Sequence, residues 1–188
     1  MMTRIEALQA IVAAFPDAPT VVTLGVTARE LAAVARRDNH LYVLDSMGLP
    51  PAIGLGLSVS LEDSRFEKVV TLEGDGGLLM GLSTLATVGL LRPRKYLLIV
   101  LDNGVYAATG GQKTAASAVD FCAVARGCGI TAAEVEDLAG LERELERCKS
   151  VDGPILLRVR ISPQNAKVPY LLEDPVILGE SFRRSLQT

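Results

Sequence analysis

Residues 68–112 read KVVTLEGDGGLLMGLSTLATVGLLRPRKYLLIVLDNGVYAATGGQ, and this stretch decides the fold. Residues 69–72 form a short β-branched run that ends in a glycine-rich turn, and residues 96–101 form a second apolar run. Between them, residues 78–91 have the pattern of a helix that ends before Pro93. A strand–helix–strand unit of this length predicts a right-handed parallel crossover, so both strands end at the same edge of one sheet.

Polar side chains stand just past the end of each of these predicted strands. Asp75 follows the first strand and Asn103 the second, and 26 residues separate the triplet Gly74-Asp75-Gly76 from Asn103. Carboxylate and amide oxygens are hard ligands that suit Mg²⁺ or Ca²⁺, and Mg²⁺ often shares its coordination sphere with phosphate oxygens. The triplet alone is a common turn, but it lies at the edge where open α/β sheets bind ligands. The two residues therefore predict a site for a phosphate-bearing molecule held through Mg²⁺.

Two further strand–turn–helix units upstream predict turns at the same sheet edge. Residues 20–24 form a strand that leads into Gly25 and Thr27, and Thr27 has the residue type of a helix cap. Residues 41–44 form a strand that leads into a turn at residues 45–48, before a proline-initiated helix. Together the units predict an α/β fold, a three-layer doubly wound parallel sheet.

The spacing of the triplet and the asparagine resembles the cofactor motif of thiamine diphosphate (ThDP)-dependent enzymes. In that family the Asp and Asn of the motif bind Mg²⁺, together with a backbone carbonyl two residues beyond the Asn. The resemblance implies that Asp75, Asn103 and the carbonyl of Val105 are the metal ligands here. Asp102 stands where many relatives have a first of two Asn residues, but the second position is the ligand and Asn103 occupies it.

Residues 46–56, SMGLPPAIGLG, resemble a second fingerprint of the same family. A methionine by itself more often packs in a core than binds a cofactor. In relatives, however, the bulky residue at the position of Met47 lies beneath the cofactor and forces it into a bent, V-shaped form. The resemblance implies that role for Met47, and it implies that the backbone carbonyl of Asp45 accepts a hydrogen bond from the aminopyrimidine ring.

The resemblance yields a full set of expected contacts in this chain. The glycine-rich loop at residues 104–114 is read equally well as a mobile surface loop or as a substrate or cofactor contact, and Lys113 also suits a purely solvated role. The expected cofactor-binding residues are Gly25, Thr27, Asp45, Ser46, Met47, Gly74, Asp75, Gly76, Gly77, Asn103, Val105 and Tyr106, and the weaker substrate contacts are Thr109, Gln112 and Lys113.

Enzymes of this family are built from two similar α/β domains, and the cofactor lies between them. The diphosphate-binding domain carries the motif described above, and the pyrimidine-binding domain supplies an activating Glu. With 188 residues, we expect one diphosphate-binding domain over residues 1–188 and no catalytic residue of its own. The resemblance therefore implies a partner subunit with a pyrimidine-binding domain, in a hetero-oligomer.

Within the family, the strings LDSMGLPPAIGLGL and LEGDGGLLM are similar to those of sulfopyruvate and phosphonopyruvate decarboxylases. This similarity implies a lyase that decarboxylates a small acidic 2-oxo acid and releases CO₂ and an aldehyde. Three alternatives stay open: a ThDP-dependent carboligase of the acetolactate synthase type, a non-catalytic subunit that keeps the fold, and a nucleotide-binding or flavodoxin-like module. The last would place a GxGxxG or P-loop turn after the first strand, where the sequence has neither.

The composition limits the partners of the chain. Hydrophobic residues make up 49% of the sequence, so we expect apolar surface to be buried against other chains, both the partner subunit and copies of this chain. The net charge is −3 without a basic run, which argues against nucleic acid. Three cysteines without CxxC spacing indicate free thiols in a reducing compartment. We expect the single histidine, His40, to lie on the surface in a loop.

The two ends of the chain carry no motif, and only their general pattern indicates location and structure. Residues 1–16 lack the pattern of a signal peptide or a membrane span, so we expect a cytoplasmic protein without membrane association. Residues 154–161 alternate two arginines with apolar residues, which predicts an edge strand. Residues 162–188 carry three spaced prolines before a short predicted helix and suggest an arm or a lid. On the lid hypothesis, deletion of residues 168–188 reduces turnover more than cofactor affinity.

Overall fold

A six-stranded parallel sheet forms the centre of the computed structural model, which describes residues 1–187. Thr188, the last residue of the expected arm, lies outside the described residues. The strands are β1 (Thr20–Val22), β2 (His40–Tyr42), β3 (Val69–Gly74), β4 (Tyr96–Asp102), β5 (Val105–Tyr106), β6 (Gln112–Lys113), β7 (Thr131–Val135) and β8 (Ile155–Arg160). The helices are α1 (Arg4–Ala14), α2 (Val26–Val34), α3 (Pro50–Ser60), α4 (Asp75–Met80), α5 (Thr84–Leu91), α6 (Phe121–Gly127), α7 (Leu138–Ser150) and α8 (Pro175–Ser185), with a 3₁₀ turn at Ala115–Ala118.

The strand order is β2-β1-β3-β4-β8-β7, and every neighbouring pair in this sheet is parallel. The connection from β1 runs outward to β2, whereas the chain next crosses back to place β3 on the other side of β1. The order thus reverses between β1 and β3, which creates a crevice at the carboxyl ends of these strands. Strands β5 and β6 form a separate antiparallel hairpin beside this edge.

Helices cover both faces of the sheet, which confirms the predicted three-layer α/β fold. All seven residues of β4 are buried, and successive side chains enter opposite layers. Leu97, Ile99 and Leu101 pack in a cluster with α1, α2 and α7, while Leu98 and Val100 pack with α3, α4, α5 and α6. The run predicted over residues 96–101 is therefore a central strand whose continuous apolar sequence reflects burial on two faces.

The prediction of one helix over residues 78–91 is wrong, because α4 ends at Met80 and α5 begins at Thr84. The break surrounds Gly81, where a Cβ atom would lie 2.2 Å from the carbonyl oxygen of Gly48. The turn before α3 therefore occupies the space that a side chain at position 81 would need. This close approach interrupts the helix beside the crevice.

Two predictions about exposure are also wrong. Strand β8 lies between β4 and β7 rather than at an edge. The interior position is compatible with its arginines, since the buried guanidinium of Arg158 has a carboxylate partner in Asp102 at 2.6 Å. His40 lies at the start of β2 and is 2% exposed, rather than on the surface. Helix α8 packs against β2, so the end of the chain contributes to the environment of this strand.

Two predicted helix caps are replaced by neighbouring residues. Helix α2 begins at Val26 with Gly25 at the N-cap position, so Thr27 is buried within the first turn instead of capping it. Ser117 also has the residue type of a helix cap, so the sequence predicts a helix from there to about Arg126. Helix α6 begins only at Phe121, and the Asp120 side chain accepts a hydrogen bond from Ala123 N at 2.9 Å. Ser117 lies in the 3₁₀ turn that precedes this helix.

The chain beyond β8 folds back along α2 before it forms α8. Ala166 N donates to Glu30 Oε1 at 2.8 Å, and the guanidinium of Arg36 forms an ion pair with Glu173 at 2.6 Å. Leu178 and Phe182 of α8 are buried. Among residues 1–187, none of the helices has the length and apolar character needed to cross a membrane.

Candidate cofactor-binding site

A cavity of about 150 Å³ opens at the carboxyl ends of β1, β3 and β4, beside the hairpin formed by β5 and β6. The sequence predicted that separate turns converge on this edge, and the turns after β1, β2, β3 and β4 all contribute to its wall. The predicted site residues that line the cavity are Thr27, Met47, Gly74, Asp75, Gly76, Gly77, Asn103, Val105, Tyr106 and Thr109.

Five predicted site residues lie next to the cavity without lining it. Gly25 has a φ of 75°, and a Cβ atom there would lie 3.1 Å from Ala108 Cβ, so the turn before α2 requires glycine. Asp45 is exposed with a φ of 53°, and Ser46 follows it half-buried. Gln112 and Lys113 are exposed on β6, where Gln112 Oε1 accepts hydrogen bonds from Thr109 and Gly110. Their roles as cofactor or substrate contacts stay predictions.

Asp75 is the first residue of α4 and is 1% exposed. The hydroxyl of Thr114 donates a hydrogen bond to its Oδ2 atom. Burial raises the pKa of the Asp75 carboxyl, and the nearby charge of Asp102 raises it further. Ionising a buried carboxyl costs free energy unless a positive charge is nearby, so this position favours a bound cation.

Asn103 and Val105 belong to the tight turn that follows β4. Val105 N donates to Asn103 Oδ1 at 3.1 Å, and Gly104 between them has a φ of 71°, which favours glycine. The Val105 carbonyl accepts from Ala107 N at 3.0 Å. An amide oxygen and a backbone carbonyl each have a second lone pair that could face a metal. With Asp75 they make an all-oxygen donor set of the kind that Mg²⁺ takes.

This donor set differs from the clusters that usually reveal a metal site. Within residues 1–187 the structure has no group of three or more His, Cys, Asp or Glu side chains placed to hold a metal ion. One carboxylate, one amide and one carbonyl would leave several coordination positions for the ligand's own oxygens. A ligand with phosphate groups fits such a site, because Mg²⁺ commonly bridges protein and phosphate oxygens.

Close backbone approaches shape the wall of the cavity. A Cβ atom on Gly76 would lie 2.3 Å from the Tyr106 ring, so this ring rests on the backbone of the turn. Met47 is 37% exposed and stands before Gly48, whose φ is 81°. The glycines of the two turns therefore bring Met47, Tyr106 and the Asp75 carboxylate to one cavity.

Four polar residues that the sequence analysis did not assign to the site also belong to it. Thr23 and Glu73 line the cavity at the ends of β1 and β3, and Thr114 holds Asp75 from behind. Arg4 also lines the cavity, and its Nη1 atom lies 3.1 Å from Glu30 Oε1 in a buried ion pair. The sequence could have indicated two of these residues. Arg4 is a charged residue on the apolar face of a predicted helix, and Glu73 is a charged residue at the end of an apolar strand.

Among the acidic residues that line the cavity, Glu73 has the pKa that is shifted furthest. It is 1% exposed, and its pKa is raised from 4.5 to about 7, mainly because burial disfavours the charged form. Its Oε1 atom accepts from Gly74 N at 2.8 Å and its Oε2 atom from Gly48 N at 3.3 Å. The carboxyl thus links the turn after β3 to the turn that carries Met47.

Solved structures share the fold of this chain, and sequence relatives indicate the kind of protein to which it is similar. The benzoylformate decarboxylase of Polynucleobacter necessarius superposes with a TM-score of 0.74 over 85% of this chain and 33% of its own, and at 20% identity this likeness shows the fold alone. Sulfopyruvate decarboxylase subunit beta of Methanothermobacter thermautotrophicus is 36% identical over 187 residues, which is 100% of this chain and 97% of the relative. Phosphonopyruvate decarboxylase of Streptomyces viridochromogenes is 44% identical over 86% of this chain, which spans only 40% of that longer protein.

The family model described as "Thiamine pyrophosphate enzyme, C-terminal TPP binding domain" matches residues 23–159. Thiamine pyrophosphate is another name for ThDP. The match begins at the end of β1 and reaches β8, so it includes every turn that forms the cavity. The chain belongs to the thiamine pyrophosphate enzyme family, in which it corresponds to the C-terminal TPP-binding domain.

Proposed function

We propose that this chain is the diphosphate- and Mg²⁺-binding subunit of a ThDP-dependent decarboxylase. Its substrate would be an acidic 2-oxo acid of the 3-sulfopyruvate or phosphonopyruvate type, and its products CO₂ and an aldehyde. The observation that carries the proposal is the convergence of Asp75, Asn103 and Val105 with Met47 on one cavity. The names of the sequence relatives support the reaction and the class of substrate.

Each part of the cavity has a distinct role in this proposal. Asp75, Asn103 and the carbonyl of Val105 hold Mg²⁺, and the residue types suit this hard cation. Gly76 and Gly77 in the first turn of α4, and the turn before α2, leave backbone N–H groups open to the diphosphate, since small residues allow close approach. Gly74 N already donates to Glu73 Oε1. Met47 lines the cavity and is partly exposed, and its bulky apolar side chain can set the bend of the cofactor.

Bound ThDP supplies the nucleophilic carbon and the electron sink that loss of CO₂ requires. The residues of this chain contribute binding, orientation and exclusion of water. The Asp75 carboxylate, kept in place by Thr114, compensates the charge of the metal, which in turn compensates the diphosphate. The apolar side chains of Met47 and Val105 line the cavity and would lower the local dielectric constant around a bound cofactor.

A partner subunit with a pyrimidine-binding domain would complete the site. The cavity of about 150 Å³ is smaller than the roughly 300–1,000 Å³ of usual ligand sites, as expected for one half of a shared site. Met47, Leu49 and Met80 expose apolar side chains at the turns that border it, and such groups favour burial by another chain. The similarity to a beta subunit over nearly the whole chain supports a second polypeptide that carries the activating Glu.

The direct test is an assay of the chain mixed with its candidate pyrimidine-domain subunit, ThDP and Mg²⁺. We expect CO₂ release from 3-sulfopyruvate or phosphonopyruvate at a rate far above that from pyruvate, and no release from either subunit alone. The matched control is Asp63→Ala, which changes an exposed aspartate, against Asp75→Ala in the cavity. Equal rates with the two variants, or a preference for pyruvate, would contradict the proposed function.

A further inference from the structure

The carboxyl group of Glu73 joins two turns that contribute residues to the wall of the cavity. Along β3, Val70 and Leu72 face the layer with α1 and α2, whereas Thr71 meets Gly54 of α3. The alternation of a strand therefore directs Glu73 toward the layer that contains α3 and α4. There its two oxygens accept hydrogen bonds from Gly74 N at 2.8 Å and from Gly48 N at 3.3 Å.

Glycines beside the Glu73 carboxyl leave the space that it occupies. A Cβ atom on Gly77 would lie 2.2 Å from Glu73 Oε1 and 2.5 Å from its Cδ, so glycine at position 77 leaves the space that the carboxyl fills. On the opposite side, Gly48 is confined by Gly81, because a Cβ at position 48 would lie 2.9 Å from Gly81 N. The turn at Gly48 is thus held between Glu73 and the break that separates α4 from α5.

Two acceptor oxygens matched to two N–H donors explain why a carboxylate suits this position. An amide side chain would present an NH₂ group to one of the donors, and an alanine would leave both buried N–H groups unpaired. Glu73 lines the same cavity as Asp75 and Met47, and it is 1% exposed. Its carboxyl accepts hydrogen bonds from the backbone of the two turns and from the Thr23 side chain, so its effect reaches the cofactor through the placement of these groups.

We propose that Glu73 is a positioning residue whose carboxyl fixes the Met47-Gly48 turn against the residue 74–77 turn and thereby holds Met47 beneath the cofactor. Its role toward the cofactor rests on the proposed function, whereas the link between the two turns is a property of the free chain. Gly77 is the second component of this device, since any side chain there displaces the carboxyl.

The first experiment measures hydrogen exchange of the Gly48 amide in the chain without cofactor. Glu73→Ala should accelerate exchange at Gly48 by about tenfold, as expected for loss of one buried hydrogen bond, while the Ile99 amide in β4 stays protected. The control Glu67→Ala removes an exposed Glu just before the same strand and should change neither. Exchange at Gly48 within about twofold of the parent chain would overturn the proposal.

A second variant keeps the test valid if Glu73→Ala folds poorly. Gly77→Ala should displace the carboxyl and accelerate exchange at Gly48 although Glu73 is present. Adding Glu73→Ala to Gly77→Ala should then cause no further acceleration, because both changes remove the same contact. Additive effects of the two changes would contradict the proposed link.

The role toward the cofactor is tested by comparing Mg²⁺-dependent affinity for ThDP with that for inorganic pyrophosphate. Glu73→Ala should weaken ThDP by about tenfold and leave pyrophosphate unchanged, since Met47 would contact the rings rather than the phosphates. When Met47 has already been replaced by Ala, adding Glu73→Ala should not weaken the affinity for ThDP any further. Equal weakening of both ligands would show that Glu73 acts on the metal site and would overturn the positioning role. These titrations use the chain mixed with its pyrimidine-domain subunit. If the parent chain in that mixture binds neither ligand, the proposed function fails, and the Gly48 exchange alone decides whether the two turns are linked.

Discussion

The hydroxyl of Thr114 donates a hydrogen bond to the Asp75 carboxylate, although the two residues are 39 positions apart in the sequence. The same hydroxyl oxygen accepts from Ala116 N at 3.3 Å and so caps the 3₁₀ turn. Thr114 N donates to Gly104 O at 3.0 Å, which closes the base of the hairpin formed by β5 and β6. The candidate metal ligand is therefore oriented by the hairpin that forms one wall of the cavity.

We predict that Thr114→Val weakens Mg²⁺-dependent ThDP binding by about tenfold, because a charge-assisted hydrogen bond is lost while the volume is conserved. Thr114→Ser should retain most of the affinity, since it keeps the hydroxyl. Calorimetric titration of the three proteins measures both effects, and Thr131→Val on an exposed strand position is the matched control. Unchanged affinity in Thr114→Val would contradict the orienting role.

A second prediction concerns the residue before the candidate ligand Asn103. Asp102 is buried, and its Oδ2 atom accepts from Arg158 Nε at 2.8 Å and Nη2 at 2.6 Å, while Arg160 Nη1 lies at 3.0 Å. Asp102→Asn should lower the free energy of unfolding by about 3 kcal/mol, because the buried Arg158 then keeps only Glu134, at 2.9 Å, as a carboxylate partner. Urea denaturation measures this loss.

The double variant Asp102→Asn with Arg158→Met supplies the control for the ion pair. Replacing both charges removes the uncompensated group, so the double variant should be more stable than Asp102→Asn alone. A double variant that is less stable than the single one would contradict the assignment of the effect to this pair.

We predict that the folded chain loses stability at acidic pH because His40 becomes protonated. Burial, followed by the positive charges of Arg37 and Arg36, lowers the pKa of His40 from 6.5 to about 4. The folded chain therefore holds His40 neutral, and the stabilisation is present above pH 6.5 and is lost as the pH falls toward 4. For a pKa near 6.5 in the unfolded chain, the loss in the free energy of unfolding is roughly 3 kcal/mol.

Denaturation of the parent chain and His40→Gln at about pH 7 and pH 4.5 measures this contribution. His40 is the one histidine of the sequence, so the comparison isolates its titration. The variant should lose less stability than the parent chain on acidification. Parallel losses in the two proteins would show that His40 is not the group responsible.

The C-terminal segment is predicted to affect turnover through its contact with the hairpin. Asn165 Nδ2 donates to Ala107 O at 3.1 Å, and Arg4 Nη1 lies 3.4 Å from Asn165 Oδ1. Deletion of residues 168–188 should reduce turnover more than cofactor affinity, but it would also expose the core where Leu178 and Phe182 pack. Asn165→Ala is the cleaner variant, because α8 remains in place.

For Asn165→Ala we expect kcat to fall by a few fold while the Kd for ThDP stays unchanged. Lys167→Ala, two residues further along the same exposed segment, should leave both unchanged. A kcat equal to that of the parent enzyme in Asn165→Ala, or an equal loss in both variants, would remove the lid hypothesis.

The parts of the fold that the sequence predicts are those that depend on local pattern. The run at residues 96–101 is apolar throughout because β4 is buried on both faces, and the turns after β1, β2 and β3 contain the residue types that such turns require. Parallel crossovers have one hand, so these local elements suffice to bring Asp75 and Asn103 to one edge.

The features that the sequence does not predict depend on contacts between distant segments. The helix break at Gly81 requires the carbonyl of Gly48, and the interior place of β8 requires a carboxylate partner for Arg158 from β4. The burial of His40 in β2 involves α8, which lies more than a hundred residues further along the chain. Sequence spacing carries no signal for such pairs without the strand order.

The central claim, that Asp75 and Asn103 form a Mg²⁺ site for ThDP, is tested most directly by calorimetric titration of ThDP into the chain mixed with its pyrimidine-domain partner. With Mg²⁺ present the parent chain should bind, and with the metal chelated the binding should disappear. Asp75→Ala and Asn103→Ala should each abolish binding while circular dichroism shows the fold intact, and Asp63→Ala should bind normally. Normal affinity in both cavity variants would contradict the account.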